Sequence, residues 1–586
     1  MKAFNFLLSL IFVCSIVSCG TSSKQNNGEV TRQQLNKIFE DYRSFQYYSY
    51  PEYATYQGIH DYNDRLSNQS NASYDQYMDS IKSFKKTVLA IDKASLSSND
   101  QLNYDLFLYK LTEEIMQYEL EIEKYLMFTQ QQGYHIYFPQ ITGYQPFETV
   151  NDIENYIKRL QQFKTEAGHL IEGLKEGQSK GIVLSCNITT QVLAQLEGFV
   201  NTSAEASPLY TVIEKSEVAK SNEAAIKLAI EESVQPGYQA LYDYYKNEYH
   251  PNCRTEIGIS SVNGGKPYYE YLVKKYTTSD LTPDEVFNIG QSEVARIETE
   301  MKKVQEELGF SNLSKLDFFT ALRTNPDFYF TEKEDLLNGF RAILDTMDTK
   351  LPQLFGKLPK TPYDLKEIEE YRAVAAPAAY YYNAPEDGSR PGYFYVNTYN
   401  LSARPKFTMT ALALHEAVPG HHLQIALEKE MDDVPWFRTT MGVTAFIEGW
   451  GLYAEYLGYE TDMYKDPLQK LGALTFEMWR ACRLVVDAGM HYKGWTREEA
   501  INYLKENLPI TEPDIISEID RYIAMRGQAL AYKIGELKLK ALRANAEKQL
   551  GDKFDVKSFH DAILENGSLP LSILESNIDE WIKNNQ

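Results

Sequence analysis

The sequence predicts a mostly α-helical protein with one continuous body behind an N-terminal export segment. Long windows, among them residues 102–125 and 150–176, repeat apolar residues at spacings of three and four, which is typical of amphipathic helices. Hydrophobic residues make up 43% of the 586-residue chain, which is enough for a large buried core. The chain has no internal Pro/Gly/Ser-rich linker, repeat or low-complexity run. These observations favour a single helical body, which we place at residues 31–586.

The first residues are typical of an exported lipoprotein. Lys2 is positive, and residues 4–17 are almost entirely apolar but too few to span a bilayer comfortably. Residues 1–18 are therefore predicted to be a signal peptide that ends in a segment resembling a lipobox. Cleavage would leave Cys19 as the lipidated residue and residues 19–30 as a polar tether. We expect the protein to be anchored by this lipid in the cell envelope, at the outer membrane. An ordinary secretory signal peptide with a chance cysteine is the alternative.

Within the body, residues 31–250 are predicted to form an N-terminal helical part, and residues 251–586 the part that carries the candidate site. A helix is predicted from Pro283 to about Leu308, because Thr282 is a favourable cap and proline is favoured in the first turn. Residues 392–399 are rich in β-forming side chains and follow turn-forming residues at 386–389, which indicates a strand.

Charge and cysteine content exclude several classes of function. The net charge of −23 disfavours nucleic acid and anionic membrane surfaces as partners, because binding phosphate requires clustered Lys and Arg. Cys186, Cys253 and Cys482 remain once the two N-terminal cysteines are set aside. They predict neither a disulfide scaffold nor a cysteine-based metal site, and Cys482 lies in an apolar helix as a core residue.

The most specific chemical pattern is the segment ALALHEAVPGHHLQ at residues 411–424. In the zinc motif HExxH, two histidines one helical turn apart reach one metal, and the Glu acts on the water that the metal binds. Here His415 and Glu416 open the pattern, but the fourth position after His415 is Pro419, which cannot ligate a metal and interrupts the helix. The pattern predicts a zinc site whose second histidine lies further along the chain.

Two histidines compete for that second position. On a regular helix His421 would point about 120° away from His415, whereas His422 would return to the same face about 10 Å further along. A two-residue bulge at residues 418–419 would bring His421 back to the ligand position. We therefore prefer His421 as the ligand, with His422 as the fallback. Histidines that pack without binding a metal are the alternative.

A third protein ligand is needed for an open catalytic site. Glu448 is a carboxylate in an otherwise apolar segment, and a buried carboxylate is costly unless it is paired or bound to a metal. Glu455 lies two turns on, on the same helix face, and is the fallback. A Glu that forms only a local cap or salt bridge is the alternative.

Two further helices combine apolar residues with a polar face, which indicates either a polar cavity or buried ion pairs. On the first, polar residues recur every three or four positions: Glu477, Arg480, Arg483, Asp487 and His491. His491 with Asp487 one turn earlier is typical of an oriented imidazole. On the second, Arg521, Gln528 and Tyr532 share one face, and a tyrosine near zinc can donate a hydrogen bond to an oxyanion. Simple packing of Tyr532 is the alternative.

With these segments the chain resembles the bacterial family of proposed lipoproteins called domain of unknown function 885, which is grouped with the zincin peptidases. The segments that carry the resemblance are residues 387–392, 395–397, 415–424, 448–450, 480–487 with His491, 527–529 and 532–533. The resemblance implies a mostly α-helical, zincin-like metallopeptidase fold, with two helical halves around a deep cleft and a small β-sheet near the metal.

From this residue set we expect a zinc-dependent metallopeptidase that hydrolyses peptides outside the cytoplasm. One Zn²⁺ per chain would be held by His415, His421 and Glu448. Glu416 would transfer protons as the general base, and Tyr532 or His491 would stabilise the oxyanion. A substrate carboxylate would be held by one of four arginines, which would favour carboxypeptidase-like trimming of short peptides: Arg390, Arg480, Arg483 and Arg521.

Two other functions are compatible with the same sequence. The chain could be a non-catalytic lipoprotein that binds peptides or glycans, in which case the histidines are structural and no metal binds. It could also be a zinc hydrolase that acts on a non-peptide amide, which the residue pattern does not separate from a peptidase.

Overall fold

The computed structural model describes residues 22–373, 376–385, 388 and 390–586, and it confirms the prediction of a mostly α-helical fold. The helices of the N-terminal half are α1 (Ser22–Ser49), α2 (Pro51–Tyr56), α3 (Asn71–Leu89), α4 (Ser98–Glu119), α5 (Glu123–Leu126), α6 (Tyr134–Tyr137), α7 (Val150–Ser179), α8 (Cys186–Val200), α9 (Glu217–Ser221), α10 (Glu223–Ala229), α11 (Gln235–Tyr244), α12 (Gly265–Thr277) and α13 (Pro283–Glu307). The signal peptide and Cys19 lie outside the described residues.

The C-terminal half contains further helices and the strands. The helices are α14 (Lys315–Thr324), α15 (Lys333–Asp348), α16 (Leu351–Leu354), α17 (Glu370–Ala373), α18 (Met409–Glu416), α19 (His421–Lys429), α20 (Thr444–Glu460), α21 (Pro467–His491), α22 (Arg497–Asn507), α23 (Glu512–Ala524), α24 (Ala531–Leu550), α25 (Val556–Leu564) and α26 (Leu571–Asn585). The strands are β1 (Tyr363–Glu367), β2 (Ala379–Tyr382) and β3 (Gly392–Val396).

Two predicted helices form where the sequence signals place them. Helix α7 covers the amphipathic window at residues 150–176, and α13 begins at Pro283. The Thr282 hydroxyl accepts a hydrogen bond from the backbone of Glu285, whose carboxylate accepts one from the backbone of Thr282 in return. This reciprocal capping satisfies two backbone donors that a helix start otherwise leaves unpaired. The window at residues 102–125 divides between α4 and α5.

The strands form one small sheet in the order β1-β3-β2. Strand β3 pairs in parallel with β1 and antiparallel with β2, so that Phe394 lies opposite Leu365 on one side and Tyr381 on the other. Phe394 is completely buried beneath the sheet. The predicted strand at residues 392–399 is therefore confirmed over its first five residues, and of the turn before it Glu386, Asp387 and Ser389 lie outside the described residues.

Two large hydrophobic cores divide the helices into two halves. The first core uses Leu66 together with residues 122–322 and 471–534, and the second uses residues 35–115, 336–476 and 531–582. Helices α21 and α24 contribute to both cores, so they form the seam between the halves. Each core draws on both sides of residue 250, because distant parts of the chain return to complete each half. Residues 31–250 and residues 251–586 therefore do not each form a core of their own.

Cys186 and Cys253 form a disulfide with a Cα–Cα distance of 5.0 Å, a pair that the sequence analysis did not predict. The pairing depends on a tertiary contact, because the Cys186 backbone N–H donates to the carbonyl of Arg254 at 2.8 Å. A separation of 67 residues provides no local signal for such a contact. Cys482 is buried and unpaired among the described residues, as expected, and burial raises the pKa of its thiol.

Within the described ranges, no helix combines the length and the apolar character that crossing a bilayer would require.

Candidate metal centre

The histidine-rich segment is divided between two helices. Helix α18 ends at Glu416 and α19 begins at His421, and the Val418–Pro419 peptide bond between them is cis. Pro419 has no N–H with which to continue the helix. A Cβ at Gly420 would lie 1.9 Å from the carbonyl oxygen of His415, so only glycine fits this close approach. The chain thus re-aims His421 by a break between two helices rather than by the predicted bulge within one.

The connection between α18 and α19 is fixed to α20. The indole Nε1 of Trp450 donates a hydrogen bond to the carbonyl of Pro419 at 2.8 Å, and the Trp450 side chain is completely buried. A buried carbonyl in a tight connection needs such a donor, because an unpaired one would cost about 1–3 kcal/mol. The contact positions His421 on α19 relative to α20, which carries the two candidate glutamates.

Helices α18, α19 and α20 bring three potential metal ligands close together, namely His415, His421 and Glu448. One potential ligand atom from each residue lies within 4.8 Å of the others. Oε2 of Glu448 is 3.5 Å from Nε2 of His415 and also 3.5 Å from Nε2 of His421. The three side chains are 3%, 12% and 17% exposed in the order His415, His421, Glu448. Of the competing ligands that the sequence offered, the structure therefore groups His421 and Glu448 with His415.

Two of the three ligand separations in this cluster match those around a tetrahedral metal ion. Ligand atoms at zinc distances of about 2.0–2.2 Å in a tetrahedron are separated by roughly 3.3–3.6 Å, which matches the two 3.5 Å separations. Oε2 of Glu448 and Nδ1 of His421 are buried with no hydrogen-bond partner within the described part of the chain. Buried polar atoms are normally satisfied, so the unpaired carboxylate oxygen at the centre of the cluster is consistent with a ligand for a cation.

Glu455 holds the other side of the His415 ring. Nδ1 of His415 donates to Oε1 of Glu455 at 2.8 Å, and both side chains are buried. A carboxylate on one imidazole nitrogen fixes the tautomer and turns the other nitrogen towards a metal. Glu455, the fallback ligand in the sequence, therefore orients His415 instead of joining the cluster. Nη2 of Arg480 lies 3.6 Å from the same carboxylate and offsets part of its buried charge.

Protons and a metal would compete for the same atoms in this cluster. Burial alone would lower the pKa of His415, but the nearby carboxylates of Glu448 and Glu455 raise it to about 9. Burial alone would raise the pKa of Glu448, but the nearby imidazoles of His415 and His421 hold it well below its usual range. Without a metal the cluster therefore favours a proton on His415, and a metal that binds these atoms would displace that proton.

Glu416 is oriented by the edge of the sheet. Its Oε2 accepts a hydrogen bond from the backbone N–H of Tyr381 in β2 at 2.9 Å, and the side chain is partly exposed. Strand β2 is an edge strand, whereas β3 is paired on both sides and has no free edge for a further strand in the described sheet. Any extended ligand that adds to the sheet near the cluster would have to add to β2.

His422 faces the sheet. Its Nδ1 is hydrogen-bonded to the hydroxyl of Tyr381 at 3.0 Å, and its ring lies 4.6 Å from the ring of Tyr363. Burial lowers the pKa of His422 to about 4, in keeping with a neutral, packed imidazole. This residue, the fallback for the second ligand, is therefore not part of the cluster.

Tyr532 lies across the seam from the cluster, with its ring centre 6.5 Å from that of His415. Its helix α24 approaches α20 closely, because a Cβ at Gly449 would lie 2.6 Å from the Cα of Gly535. Burial and the neighbouring Glu448 raise the pKa of Tyr532, so its hydroxyl stays protonated and can donate a hydrogen bond. The predicted proximity of Tyr532 to the candidate ligands is thus seen in the structure.

Two of the four predicted arginines lie next to Tyr532. The guanidinium carbon of Arg483 is 4.4 Å from the Tyr532 ring centre, and Arg521 shares the carboxylate of Glu518 with Arg483. Sequence reasoning missed Glu518, although its position three residues before Arg521 on α23 is the usual spacing of a helical ion pair. Together Arg483, Arg521 and Glu518 form a buried cationic group beside the cluster.

The other two arginines lie elsewhere. Arg480 is buried next to Glu455, where it supports the carboxylate that orients His415. Arg390 lies over the ring of Tyr382 at 4.5 Å, on the sheet. Arg480 therefore lies near the carboxylate that orients His415, and Arg390 lies against β2. Neither belongs to the cationic group formed by Arg483, Arg521 and Glu518.

The structure does not bring His491 to the cluster, which corrects its predicted role. Nδ1 accepts from the backbone N–H of Ile259 at 3.2 Å, Nε2 donates to the carbonyl of Tyr522 at 3.0 Å, and the side chain is completely buried. Eight residues of helix place His491 about 12 Å further along α21 than Arg483. Asp487 does not orient it, since this carboxylate accepts hydrogen bonds from Tyr269 and from the backbone of Gly527.

A separate cavity of about 920 Å³ lies between the halves, lined by α1, α2, α3 and the segment that runs from α5 to α7. None of the residues of the cluster line it. Its walls are rich in aromatic rings, and the ones exposed to a substantial degree are Tyr48, Tyr50 and Tyr137.

The sequence and the fold of this chain are similar to those of other bacterial proteins. The sequence profile of a family described as "bacterial protein of unknown function (DUF885)" matches residues 51–578. The crystal structure of a "putative lipoprotein" from Colwellia psychrerythraea is 30% identical, covers 94% of this chain and 100% of its own, and superposes with a TM-score of 0.89. A "putative lipoprotein of unknown function" from Shewanella oneidensis is 18% identical, covers 93% of this chain and 99% of its own, and has a TM-score of 0.73, a likeness of fold. No curated protein matches the chain.

Proposed function

We propose that this chain, which belongs to the DUF885 family of bacterial proteins of unknown function, is a zinc-dependent peptidase that acts outside the cytoplasm. The observation that carries the proposal is the cluster of His415, His421 and Glu448 within 4.8 Å, with Glu416 directly after the first histidine in the chain. Two neutral imidazoles and a carboxylate around an open position are the usual donor set of a catalytic zinc site.

The three side chains of the cluster would hold one Zn²⁺ per chain. The zinc would act as a Lewis acid that polarises a peptide carbonyl and lowers the pKa of water. Glu455 fixes the tautomer of His415, so that Nδ1 carries the proton and Nε2 is directed at Glu448. Such partners of metal ligands raise ligand basicity and hold the ring in position.

Glu416 is the proposed general base. Its carboxylate would accept a proton from the attacking water and deliver it to the leaving amine. The hydrogen bond from the Tyr381 backbone fixes one carboxylate oxygen and so orients the group. Strand β2 is an edge strand, so an extended peptide would add to the part of this edge that Glu416 does not occupy, a common mode of peptide recognition.

Tyr532 is the proposed donor to the oxyanion. Its ring centre lies 6.5 Å from that of His415 and 4.4 Å from the guanidinium carbon of Arg483, and its hydroxyl is protonated at neutral pH. A donor of this kind typically contributes about 10²–10³ in rate, because it acts where charge develops in a site shielded from water.

We propose that the protein is exported and anchored to the cell envelope at the outer membrane by lipid on Cys19. Two proteins of similar structure are described as lipoproteins, and the leader of this chain contains the expected cysteine. The Cys186–Cys253 disulfide supports an oxidising compartment, because such bonds are rare in the cytoplasm.

A non-catalytic lipoprotein that binds a peptide or a glycan is the second candidate function. The observation that favours it is the cavity of about 920 Å³ lined with aromatic rings, which is large enough for a small organic ligand. This candidate predicts saturable binding without turnover and without bound metal. A zinc hydrolase of a non-peptide amide would use the same cluster and differ only in its substrate.

The test of the peptidase is the variant Glu416→Gln, assayed with a library of fluorogenic peptides after zinc is supplied. We expect this variant to keep its zinc and to lose nearly all hydrolysis, because the amide cannot accept the proton of the water. Glu547→Gln, which changes an exposed glutamate paired with Arg543, serves as the matched control and should hydrolyse peptides at the wild-type rate. A Glu416→Gln variant with unimpaired hydrolysis would contradict the mechanism.

A further inference from the structure

Arg483 is a buried cation that is only partly used by the protein. Its Nε donates to the hydroxyl of Tyr522 at 2.7 Å and its Nη2 to Glu518 at 3.1 Å. Its Nη1 is buried and has no hydrogen-bond partner among the described residues, although the whole residue is only 6% exposed. A buried guanidinium nitrogen without an acceptor is costly, so an acceptor is expected from a molecule that binds here.

The buried group of side chains around Arg483 has an excess of positive charge. Glu518 is shared between two guanidinium groups, because Arg521 donates to it through Nε at 3.0 Å and Nη2 at 2.9 Å. The remaining Nη1 of Arg521 is taken by the side chain of Gln528 at 3.0 Å. One carboxylate therefore faces two permanent cations, and the excess charge would be offset by one anionic group.

Arg483 lies close to the cluster of His415, His421 and Glu448. The guanidinium carbon of Arg483 lies 4.4 Å from the Tyr532 ring centre, which lies 6.5 Å from the ring centre of His415, so the path spans at most about 11 Å. An extended chain covers about 3.3–3.6 Å per residue, and the contact of a guanidinium with a carboxylate takes up several more ångströms. One or two residues therefore fit between a peptide bond at the cluster and an anion at Arg483.

We propose that Arg483 binds the C-terminal carboxylate of a peptide, so that the enzyme removes one or two residues from free C-termini. The inference rests on the proposed peptidase function and narrows its substrates to peptides with a free α-carboxylate. Guanidinium groups match carboxylates in shape and charge, which makes a carboxylate the natural anion for this position. Tyr532 then lies between the bound terminus and the cluster, with a hydroxyl that donates to the bond being cleaved.

The other predicted arginines are less suited to this role. Arg480 already lies 3.6 Å from Glu455 and donates Nη1 to the carbonyl of Phe476. Arg390 donates to the carbonyl of Pro391 and lies over Tyr382 at the sheet, away from Tyr532. Nε of Arg480 is also buried without a hydrogen-bond partner among the described residues, but of the four arginines it is Arg483 whose guanidinium carbon lies 4.4 Å from the Tyr532 ring centre.

The first experiment compares two forms of the same peptides on the wild-type protein, one with a C-terminal carboxylate and one with a C-terminal amide. Because charge-assisted hydrogen bonds contribute about 1.5–3 kcal/mol, kcat/KM should be roughly 10- to 100-fold higher for the acid. Mass spectrometry of the products should show the loss of one or two C-terminal residues. Equal cleavage of the two forms, or cleavage at internal bonds, would overturn the inference and leave the peptidase function standing.

A binding measurement separates this inference from the peptidase itself. Fluorescence anisotropy with labelled acid and amide peptides is measured on zinc-loaded Glu416→Gln, which requires no turnover. Binding of the acid that is roughly 10- to 100-fold tighter than binding of the amide would support the role of Arg483. If the wild-type protein hydrolyses no peptide, the peptidase function is rejected, but this binding result still stands. Equal affinity for acid and amide, or binding of neither, would overturn the inference.

Substitutions then assign the effect to one residue. Arg483→Gln should remove the preference for the acid, and Arg483→Lys should restore part of it through a single point charge. Arg341→Gln, which changes an exposed arginine on α15, is the matched control and should keep the wild-type ratio of acid to amide. A preference for the acid peptide that survives Arg483→Gln would overturn the assignment of carboxylate binding to Arg483. The comparison of acid and amide peptides on the wild-type protein does not depend on whether the variants fold.

Discussion

Gly451 lies directly against the imidazole of His415. A Cβ at residue 451 would come 2.5 Å from Cε1 and 2.8 Å from Nε2 of that ring, both closer than real side chains approach. Helix α20 thus supplies Glu448 to the cluster, provides Glu455 for Nδ1, and leaves space for the ring between them. These positions lie at spacings of three and four, which places them on one face of the helix.

Gly451→Ala should therefore disturb the metal centre without changing any proposed ligand. The added methyl group would push the His415 ring away from Glu448, so we expect zinc affinity to fall by at least about tenfold. Competition with a chromogenic chelator measures this affinity. Gly198→Ala in α8, where a Cβ would meet nothing within 4 Å, is the matched control and should bind zinc as the wild type does. Wild-type zinc affinity in Gly451→Ala would show that His415 is not a ligand.

Glu455→Ala should weaken the site through the tautomer of His415. Loss of the 2.8 Å hydrogen bond frees Nδ1, so a proton can move to Nε2 and the ring can rotate. Removal of such a partner typically lowers metal affinity or activity by 10- to 100-fold. Zinc titration followed by calorimetry measures the change, with Glu460→Ala on the exposed end of the same helix as the control. Complete loss of zinc would instead indicate that Glu455 is itself a ligand.

Tyr532→Phe should keep the zinc and lose hydrolysis. The ring remains to pack against Arg483, but the donor to the oxyanion is gone, so kcat should fall by about 10²–10³ while KM changes little. Steady-state kinetics on one peptide measures both constants. A variant with the wild-type kcat would return Tyr532 to a packing role.

A buried ionic network next to Tyr532 should make stability depend on acid pH. Lys533 is fully buried and contacts Glu477 at 2.7 Å, Glu536 at 2.6 Å and Glu293 at 3.1 Å. Burial alone would raise the pKa of Glu477, but Lys533, Lys540 and Arg296 lower it to about 2. The folded pKa is below the usual value of about 4.3, so the stabilisation is complete above that pH and is lost as the pH falls towards 2.

The measurement for this network is urea unfolding of the wild type and Glu477→Gln between pH 7 and pH 2. We expect the variant to be less stable by roughly 1–3 kcal/mol at pH 7 and the difference to shrink below about pH 4. Glu547→Gln, at an exposed ion pair, should change the free energy of unfolding by no more than about 1 kcal/mol throughout. A difference for Glu477→Gln that is constant with pH would contradict the ionised state of this glutamate.

Local chemistry made much of the site predictable. The position of Pro419 showed that the histidine pattern could not be one regular helix, and His421 does meet His415 and Glu448 in the structure. The predicted bulge within one helix was wrong, because α18 ends at Glu416 and α19 begins at His421. A proline at position 419 is compatible with either arrangement, so the local sequence did not decide between them. Helix α13 was predictable in detail, since its cap and first turn are set by adjacent residues.

Properties that depend on tertiary contacts were not predictable. The polar spacing on α21 gave no indication that His491 lies well beyond the seam, because periodicity fixes the face of a residue and not its neighbours. Glu448 and Glu455 share a face of α20, and only the packing of α18 against it decides which one meets Nε2 of His415. The edge position of β2 and the Cys186–Cys253 pair likewise arise from contacts between distant segments.

The central claim is that His415, His421 and Glu448 bind zinc, and elemental analysis of the purified mature protein tests it most directly. Wild type, His415→Ala, His421→Ala and His422→Ala are each supplied with zinc, desalted and measured. We predict about one zinc per chain in the wild type and in His422→Ala, and its loss in the other two variants. No zinc in the wild type after resupply, or zinc retained in His421→Ala, would contradict the assignment of the metal centre.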